Sequence, residues 1–266
     1  MIAMPEVRLD SITSVTPEHA GRVVVAGSHG GRYCGYLAAQ AQVLAVILND
    51  AAVGRDRAGI GSLDVLAPLG IPAATVAHDS ARIGDAGDMR ARGRISHCNE
   101  PARRLGCEPG QSCGEAVRRM AARPAPDAPP APPAGEEARF VLRPAEGERP
   151  AVIGCDSASL VRPEDVDHIV VTGSHCGVLP GRPGYGLGVR ARGAVFNDAG
   201  GGAGTARLPV LDAQGIPGAA VAAASARIGD ARSTWETGVL SAVNELAAKR
   251  GARAGMTVPE LAARLG

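Results

Sequence analysis

The chain has 266 residues, of which 45% are hydrophobic and only 2% aromatic, so its core has to be built from Ala, Val, Leu and Ile. The 28 basic and 27 acidic residues give a formal net charge of +1, and this balance, with so few aromatic side chains, argues against nucleic-acid binding. The absence of a signal-peptide pattern and of a long apolar run predicts a cytoplasmic protein that does not enter a membrane. The six cysteines form no CxxC pair, which is typical of reduced thiols.

The chain repeats itself. Residues 10–29 align with residues 156–175, and the string SARIGD occurs at 80–85 and again at 225–230. We interpret this as a tandem duplication, with a first α/β repeat over 1–120 and a second over 150–266. The Pro- and Ala-rich segment between them, 121–149, is predicted to be an extended linker.

Both copies predict the same elements in the same order. An apolar strand ends in Gly-Ser-His, a helix follows in the first copy, a second strand ends in Asn-Asp, a short helix ends in glycine, and a third strand precedes SARIGD. A longer helix is then predicted over 89–105 and 234–250, with Asp88 and Ser233 as N-caps, before a last short helix. The fold class is therefore α/β, a tandem duplication of a three-layer β-α-β-α-β-α unit with mostly parallel sheets, the two copies packed about a pseudo-twofold axis.

Polar residues cluster at the predicted carboxyl ends of the strands, where parallel sheets bind ligands. A histidine or carboxylate there can move protons, and a serine can be a nucleophile. The predicted catalytic residues are Ser28, His29, Asp50, Ser80, His175 and Asp198. The competing interpretation is structural: a Gly-Ser-His turn for the serines and histidines, and Asx turns for the aspartates.

A second set of residues is predicted to bind substrate. An arginine offers a forked donor for a carboxylate or an imide oxygen, and an asparagine amide can donate to an oxyanion. The predicted binding residues are Arg82, Arg227, Ser174, Ser225, Asn49 and Asn197. The alternative for the arginines is a bridge to the aspartate three residues on, Asp85 or Asp230, which would lock the loop.

The copies differ around this shared frame. His78 and Asp79 of the first copy are replaced by Ala223 and Ala224 in the second. This divergence favours one composite site with divided roles over two equal ones. Cys176, next to His175, is interpreted as a nucleophile or, more simply, as a buried inert thiol. Histidines 29, 78 and 175 with carboxylates 50, 79 and 198 leave a divalent metal open, although no paired spacing supports one.

A strand ending in Ser-His-Gly, then a helix and a second apolar strand, resembles the caspase-type fold around its histidine and cysteine. The position that would carry the cysteine is Ala51, or Ala199 in the second copy, so a caspase-like mechanism is rejected. The paired serines and arginines are similar only in general design to duplicated hydrolases of cyclic amides.

The sequence therefore predicts an enzyme of small-molecule metabolism. The leading hypothesis is a cofactor-independent hydrolase of an amide, imide or ester bond in a small anionic or carbonyl-rich substrate, with its active site between the repeats. The alternatives are a cofactor-free lyase or isomerase, since a base and an arginine serve both, and a non-catalytic module that binds a small molecule. Homo-oligomerisation is left open.

Overall fold

The computed structural model describes residues 6–124, 135–182 and 186–266. The chain divides into two compact units. Unit 1 contains residues up to 53 and 57–136, and unit 2 contains residues 137–266 together with the short segment 54–56. Each unit is a mixed α/β structure built on one mostly parallel sheet.

The sheet of unit 1 has five strands in the order of the sequence. The first four are parallel, and the fifth is antiparallel to the fourth. Because these strands are covered on both faces, the central ones are continuous apolar runs with almost no exposed residue. The strands are Val7–Leu9 (β1), Val23–His29 (β2), Ala45–Asn49 (β3), Ala73–Val76 (β4) and Ile95–Cys98 (β5).

The helices of unit 1 pack on the two faces of this sheet and bury two separate apolar clusters. The helices that the sequence predicts after the first strand, before the third strand and at the end of the copy are all present. The helices are Arg32–Gln40 (α1), Ser62–Leu66 (α2), Ala86–Arg92 (α3), Glu100–Arg104 (α4) and Cys113–Ala121 (α5).

Unit 2 has a six-stranded sheet whose four central strands are parallel and whose two edge strands are antiparallel. The first edge strand, Arg139–Arg143, lies inside the segment 121–149 that the sequence predicts as a linker, while the proline-rich residues 125–134 lie outside the described residues. The strands are Arg139–Arg143 (β6), Val152–Cys155 (β7), Ile169–His175 (β8), Gly193–Asn197 (β9), Gly218–Val221 (β10) and Leu240–Val243 (β11).

The helices of unit 2 follow the same strands as those of unit 1, with one exception. Among the described residues, no helix lies between β8 and β9, where the sequence is rich in Gly and Pro. The helices are Leu208–Ala213 (α6), Ala231–Thr237 (α7), Glu245–Lys249 (α8) and Val258–Leu265 (α9). No helix in the described ranges is long and apolar enough to cross a membrane.

The predicted long helices at 89–105 and 234–250 are wrong. In unit 1 this region is α3, then β5, then α4. Helix α3 stops at Gly93, where a Cβ would lie 2.3 Å from the carbonyl oxygen of Met89. Its N-cap is Asp85 and not Asp88, because the carboxylate of Asp85 accepts from the backbone N–H of Asp88. In unit 2 the N-cap is likewise Asp230, and Ser233 lies inside α7.

Asn99 and Asn244 are also not mid-helix residues. Each is the N-cap of a short helix, α4 or α8, and each binds the backbone of a neighbouring loop. The Asn99 side chain accepts from the N–H of Ala102 and Ala73 and donates to the carbonyl of Ile71. This arrangement explains why asparagine, a poor residue for a helix interior, stands there.

Candidate functional site

Three loops of unit 1 leave the sheet side by side at the carboxyl ends of β2, β3 and β4. The N–H of Gly30 donates to the carbonyl of Asn49 at 2.7 Å, and the N–H of Asp50 donates to that of Val76 at 2.8 Å. These bonds hold the end of each strand against the next. His29, Asp50 and His78 therefore stand at one edge of the sheet, as the sequence predicts for polar residues that follow parallel strands.

His29 is held in one tautomer. Its Nδ1 accepts a hydrogen bond from the backbone N–H of Gly31 at 3.1 Å, so the proton of the neutral ring is assigned to Nε2. Burial lowers the pKa of His29 to about 4, which keeps the ring neutral at pH 7. A neutral imidazole fixed in this way donates a hydrogen bond from Nε2 and does not accept a proton there. The geometry therefore suits a donor to a carbonyl oxygen and not a general base.

His78 is held in the opposite way. Its Nδ1 lies 3.2 Å from Oδ1 of Asp50, and the backbone N–H of His78 donates to the same oxygen at 3.0 Å. The carboxylate therefore accepts a hydrogen bond from Nδ1–H, and Nε2 of the neutral ring is left as the acceptor. The Asp50 side chain is 5% exposed and that of His78 34% exposed, so the aspartate lies behind a histidine that reaches solvent. This is the arrangement of a general base with its orienting carboxylate.

The four predicted site serines bond the backbone instead of a histidine. Oγ of Ser28 accepts from the N–H of Ile12 at 2.9 Å, and Ser174 does the same with Ala158 at 2.8 Å. Ser80 donates to the carbonyl of Ala77 and accepts from the N–H of Arg94; Ser225 makes the matching pair of bonds in unit 2. Among the described residues, no serine hydroxyl is hydrogen-bonded to a histidine, so the geometry offers no serine–histidine pair.

The two predicted binding asparagines hold their own loops. Oδ1 of Asn49 accepts from the N–H of Ala51, and its amide donates to the carbonyl of Ala81. Ala51 has a φ of +45°, a conformation that this Asx-type turn supports. Asn197 makes the same contacts in unit 2, with Ala199 and Ala226. Both amides are fully buried.

The arginines of the repeated string lie at the surface and pair with acids. Nη2 of Arg82 is 2.9 Å from Asp85 and 3.4 Å from Asp88, and the guanidinium is 60% exposed. Hydrogen bonds from the Arg92 side chain, and then one from the backbone N–H of Arg82, lower the pKa of Asp88. Arg227 is bound by Asp230 at 2.9 Å and by Asp56, which belongs to the same unit, at 3.1 Å.

Local contacts now account for each position of SARIGD. The serine closes a turn, the alanine and the isoleucine are buried, the arginine pairs with an acid, the glycine has a positive φ, and the aspartate caps the next helix. The glycine N–H also donates to the end of β2, where Gly84 bonds Gly27 at 2.8 Å, and to β8, where Gly229 bonds Gly173 at 2.7 Å. A Cβ on Gly27 would lie 2.7 Å from the backbone of Gly84, so this close approach requires glycine at position 27, and the φ of +86° favours glycine at position 84.

Unit 2 repeats the positions of His29 and Asp50 as His175 and Asp198, but it has no counterpart of His78. Nδ1 of His175 accepts from the N–H of Gly177, which sets the same Nε2–H tautomer as in His29. Oδ1 of Asp198 accepts from the backbone N–H of Gly200 and Ala223. The position of His78 is taken by Ala223, so the aspartate has no imidazole to orient. The polar differences between the copies at this edge therefore include His78, the histidine whose Nε2 is left as an acceptor.

Two contacts at this edge cannot be predicted from the sequence. The first is the bond of His78 to Asp50, which depends on the pairing of β3 with β4. Cys34, at the start of α1, places its Sγ 3.9 Å from Nδ1 of His29. Only the helix, which brings residue 34 back over residue 29, could have revealed that contact.

The remaining candidates are a thiol and a metal. Cys176 is fully buried, and burial raises its pKa to about 12, which fits an inert thiol and not a nucleophile at neutral pH. No group of three metal-ligating side chains is found in the part of the chain that the structure describes.

Comparison of the chain with protein-family models, with curated proteins and with solved structures finds no match. The site itself therefore carries the functional argument.

Proposed function

We propose that the protein is a cofactor-independent hydrolase of an amide, imide or ester bond in a small anionic or carbonyl-rich substrate. The single observation that carries this proposal is the pair of oppositely held histidines in unit 1, His78 as proton acceptor and His29 as proton donor. His29 is the last residue of β2 and His78 lies in the loop after β4, and β3 lies between these two strands, so the strand ends are roughly 10 Å apart. A small carbonyl compound can reach both.

In this mechanism the nucleophile is water. Nε2 of His78 takes a proton from the water as it attacks the carbonyl carbon, and Asp50 stabilises the imidazolium that forms. Nε2–H of His29 donates to the carbonyl oxygen as that oxygen gains negative charge. His78 then returns the proton to the leaving nitrogen or oxygen. The serine hydroxyls, bound to backbone, take no part, which replaces the serine nucleophile of the sequence-based hypothesis.

We also propose that the two units arose by tandem duplication and that unit 1 alone retained the base. The matching bonds of Ser28 with Ser174, Asn49 with Asn197 and His29 with His175 support a common origin. The position in unit 2 that aligns with His78 is Ala223, and this replacement supports the division of roles. Arg82, exposed next to the same edge, serves an anionic group of the substrate.

The test is turnover of a panel of small cyclic imides, amides and esters, followed by titration of the acid released. His78→Asn keeps an N–H donor for Asp50 but removes the base, and it should lower turnover by about 10²- to 10⁴-fold. Asp79→Asn, at the exposed neighbouring position, is the matched control and should retain turnover. Absence of turnover across the panel, or full turnover by His78→Asn, would contradict the proposal.

A cofactor-free lyase or isomerase is the second candidate, and one observation favours it. A neutral histidine with a lowered pKa can polarise a carbonyl while a base removes the adjacent C–H proton. Isotopes separate the two reactions. Hydrolysis puts ¹⁸O from solvent water into the product acid, whereas enolisation puts solvent deuterium onto the carbon next to the carbonyl.

A further inference from the structure

Unit 1 also contains a cleft that is lined by none of His29, Asp50 and His78. This cleft of about 310 Å³ opens between α2 and the segment that joins β5 to α4. Its walls combine apolar side chains, such as Ile60 and Leu63, with arginine, aspartate and histidine. A cleft of this size with a few polar groups fits a small ligand.

Two opposite charges face this cleft without pairing. Arg57 and Asp64 both line it, and neither makes an ion pair with any described residue. Arg103 and Glu100, which also line it, are by contrast paired with each other at 3.3 Å. The cleft therefore presents one unpaired guanidinium and one unpaired carboxylate to a ligand.

His97 also lines the cleft, although its Nδ1 is turned away from solvent. It stands opposite Thr75 on β4, and its Nδ1 is buried without a hydrogen-bond partner among the described residues. A buried polar atom that lacks a partner is costly and uncommon in folded proteins. The aligned position in unit 2 is Ala242, so this imidazole belongs to unit 1 only.

Unit 2 has a carboxylate at the position that corresponds to one residue of this cleft. Asp212, on α6, accepts hydrogen bonds from the backbone N–H groups of Glu245 and Leu246 at 3.1 and 3.0 Å. The aligned residue in unit 1 is Ala67, which lines the cleft. Unit 1 therefore has a cleft and a methyl group where unit 2 has its own carboxylate.

We propose that this cleft binds a small zwitterion of the α-amino acid type with an apolar side chain. The carboxylate of the ligand pairs with Arg57. Its ammonium group pairs with Asp64, and its side chain packs against Ile60 and Leu63. The site uses none of the residues of the proposed catalytic edge, so either proposal can fail without the other.

The test is calorimetric titration of the full chain with L-leucine and with two analogues that each lack one charge, 4-methylpentanoate and 3-methylbutylamine. L-leucine should bind in a saturable way, and each analogue should bind at least about tenfold more weakly, since each forfeits one ion pair. Absence of saturable binding by L-leucine overturns the proposal. Equal binding of either analogue also overturns it, because a single charge would then suffice.

Variants locate the site. Arg57→Gln and Asp64→Asn should each weaken L-leucine binding about tenfold or more, and Ala67→Asp should do the same by placing a protein carboxylate in the cleft, as in unit 2. Arg118→Gln, an exposed arginine on α5 outside the cleft, is the matched control and should bind as the unaltered chain does. Circular dichroism checks that each variant is folded. Unchanged affinity in folded Arg57→Gln and Asp64→Asn would overturn the assignment.

Discussion

Nδ1 of His78 lies 3.2 Å from Oδ1 of Asp50, and the same oxygen accepts the backbone N–H of both His78 and Ala52. One buried carboxylate oxygen therefore fixes the ring of His78, the loop that carries it and the turn after β3. The orientation of the proposed base depends on a residue that is itself held by the sheet.

We predict that Asp50→Asn lowers turnover by about 10²- to 10⁴-fold, because a neutral amide cannot stabilise the imidazolium that forms on His78. Asp198→Asn is the matched control, since Asp198 holds the same turn but no histidine. Steady-state kinetics and urea unfolding of both variants check this. We expect both variants to lose stability to a similar extent and only Asp50→Asn to lose turnover. Equal losses of turnover in the two variants would contradict the assigned role.

The pH dependence of stability should report on His29. Its pKa is about 4 in the folded protein against an ordinary 6.5, so the unfolded chain binds the extra proton between these values. This contribution is fully present above pH 6.5 and is lost as the pH falls towards 4, a total of about 3 kcal/mol.

Urea unfolding at several pH values measures this effect. His29→Asn keeps an acceptor for Gly31 but cannot titrate, so its free energy of unfolding should fall less steeply than that of the unaltered chain over this range. Parallel pH profiles for the two proteins would show that His29 is not buried in its neutral form.

Asn99→Ala should destabilise the protein by about 2–3 kcal/mol, because it removes a helix cap and leaves the buried N–H of Ala73 and carbonyl of Ile71 unpaired. An asparagine in the middle of a helix would behave in the opposite way, since alanine is the better helix former. Thermal unfolding of the variant decides between the two arrangements, with increased stability as the contradicting result.

The cysteine thiols should be unreactive in the folded protein. None of the six cysteines forms a disulfide and all are buried, and burial raises the pKa of Cys98, Cys113, Cys155 and Cys176 to about 12. Labelling with a thiolate-specific disulfide reagent should be slow before unfolding and should reach all six after it. Rapid labelling of one cysteine in the native protein would identify a reactive thiol and contradict this picture.

The sequence predicted the class of fold because apolar strands covered on both faces, and glycines and caps around short helices, are local signals. It missed the first strand of each copy, β1 and β7, because three or four residues are too few to show a period. It missed β5 and β11 because a four-residue strand between two short helices has no clear period, and Asn99 then resembled a mid-helix residue. The edge strand β6 was hidden by the neighbouring prolines.

The site was predicted in part for a similar reason. That His29, Asp50 and the SARIGD loop share an edge follows from parallel topology. Which nitrogen of each histidine carries the proton depends on single hydrogen bonds, from Gly31 N–H and to Asp50, that no sequence pattern specifies. A composite site shared by the two copies stays a prediction.

The most direct test of the central claim is the tautomeric state of the histidines, read from long-range ¹H–¹⁵N correlation spectra at pH ~8, above the ordinary histidine pKa. The chain has six histidines, so single variants suffice to assign their signals. We predict the Nε2–H form for His29 and the Nδ1–H form for His78. The Nδ1–H form in His29, or the Nε2–H form in His78, would contradict the assignment of donor and base.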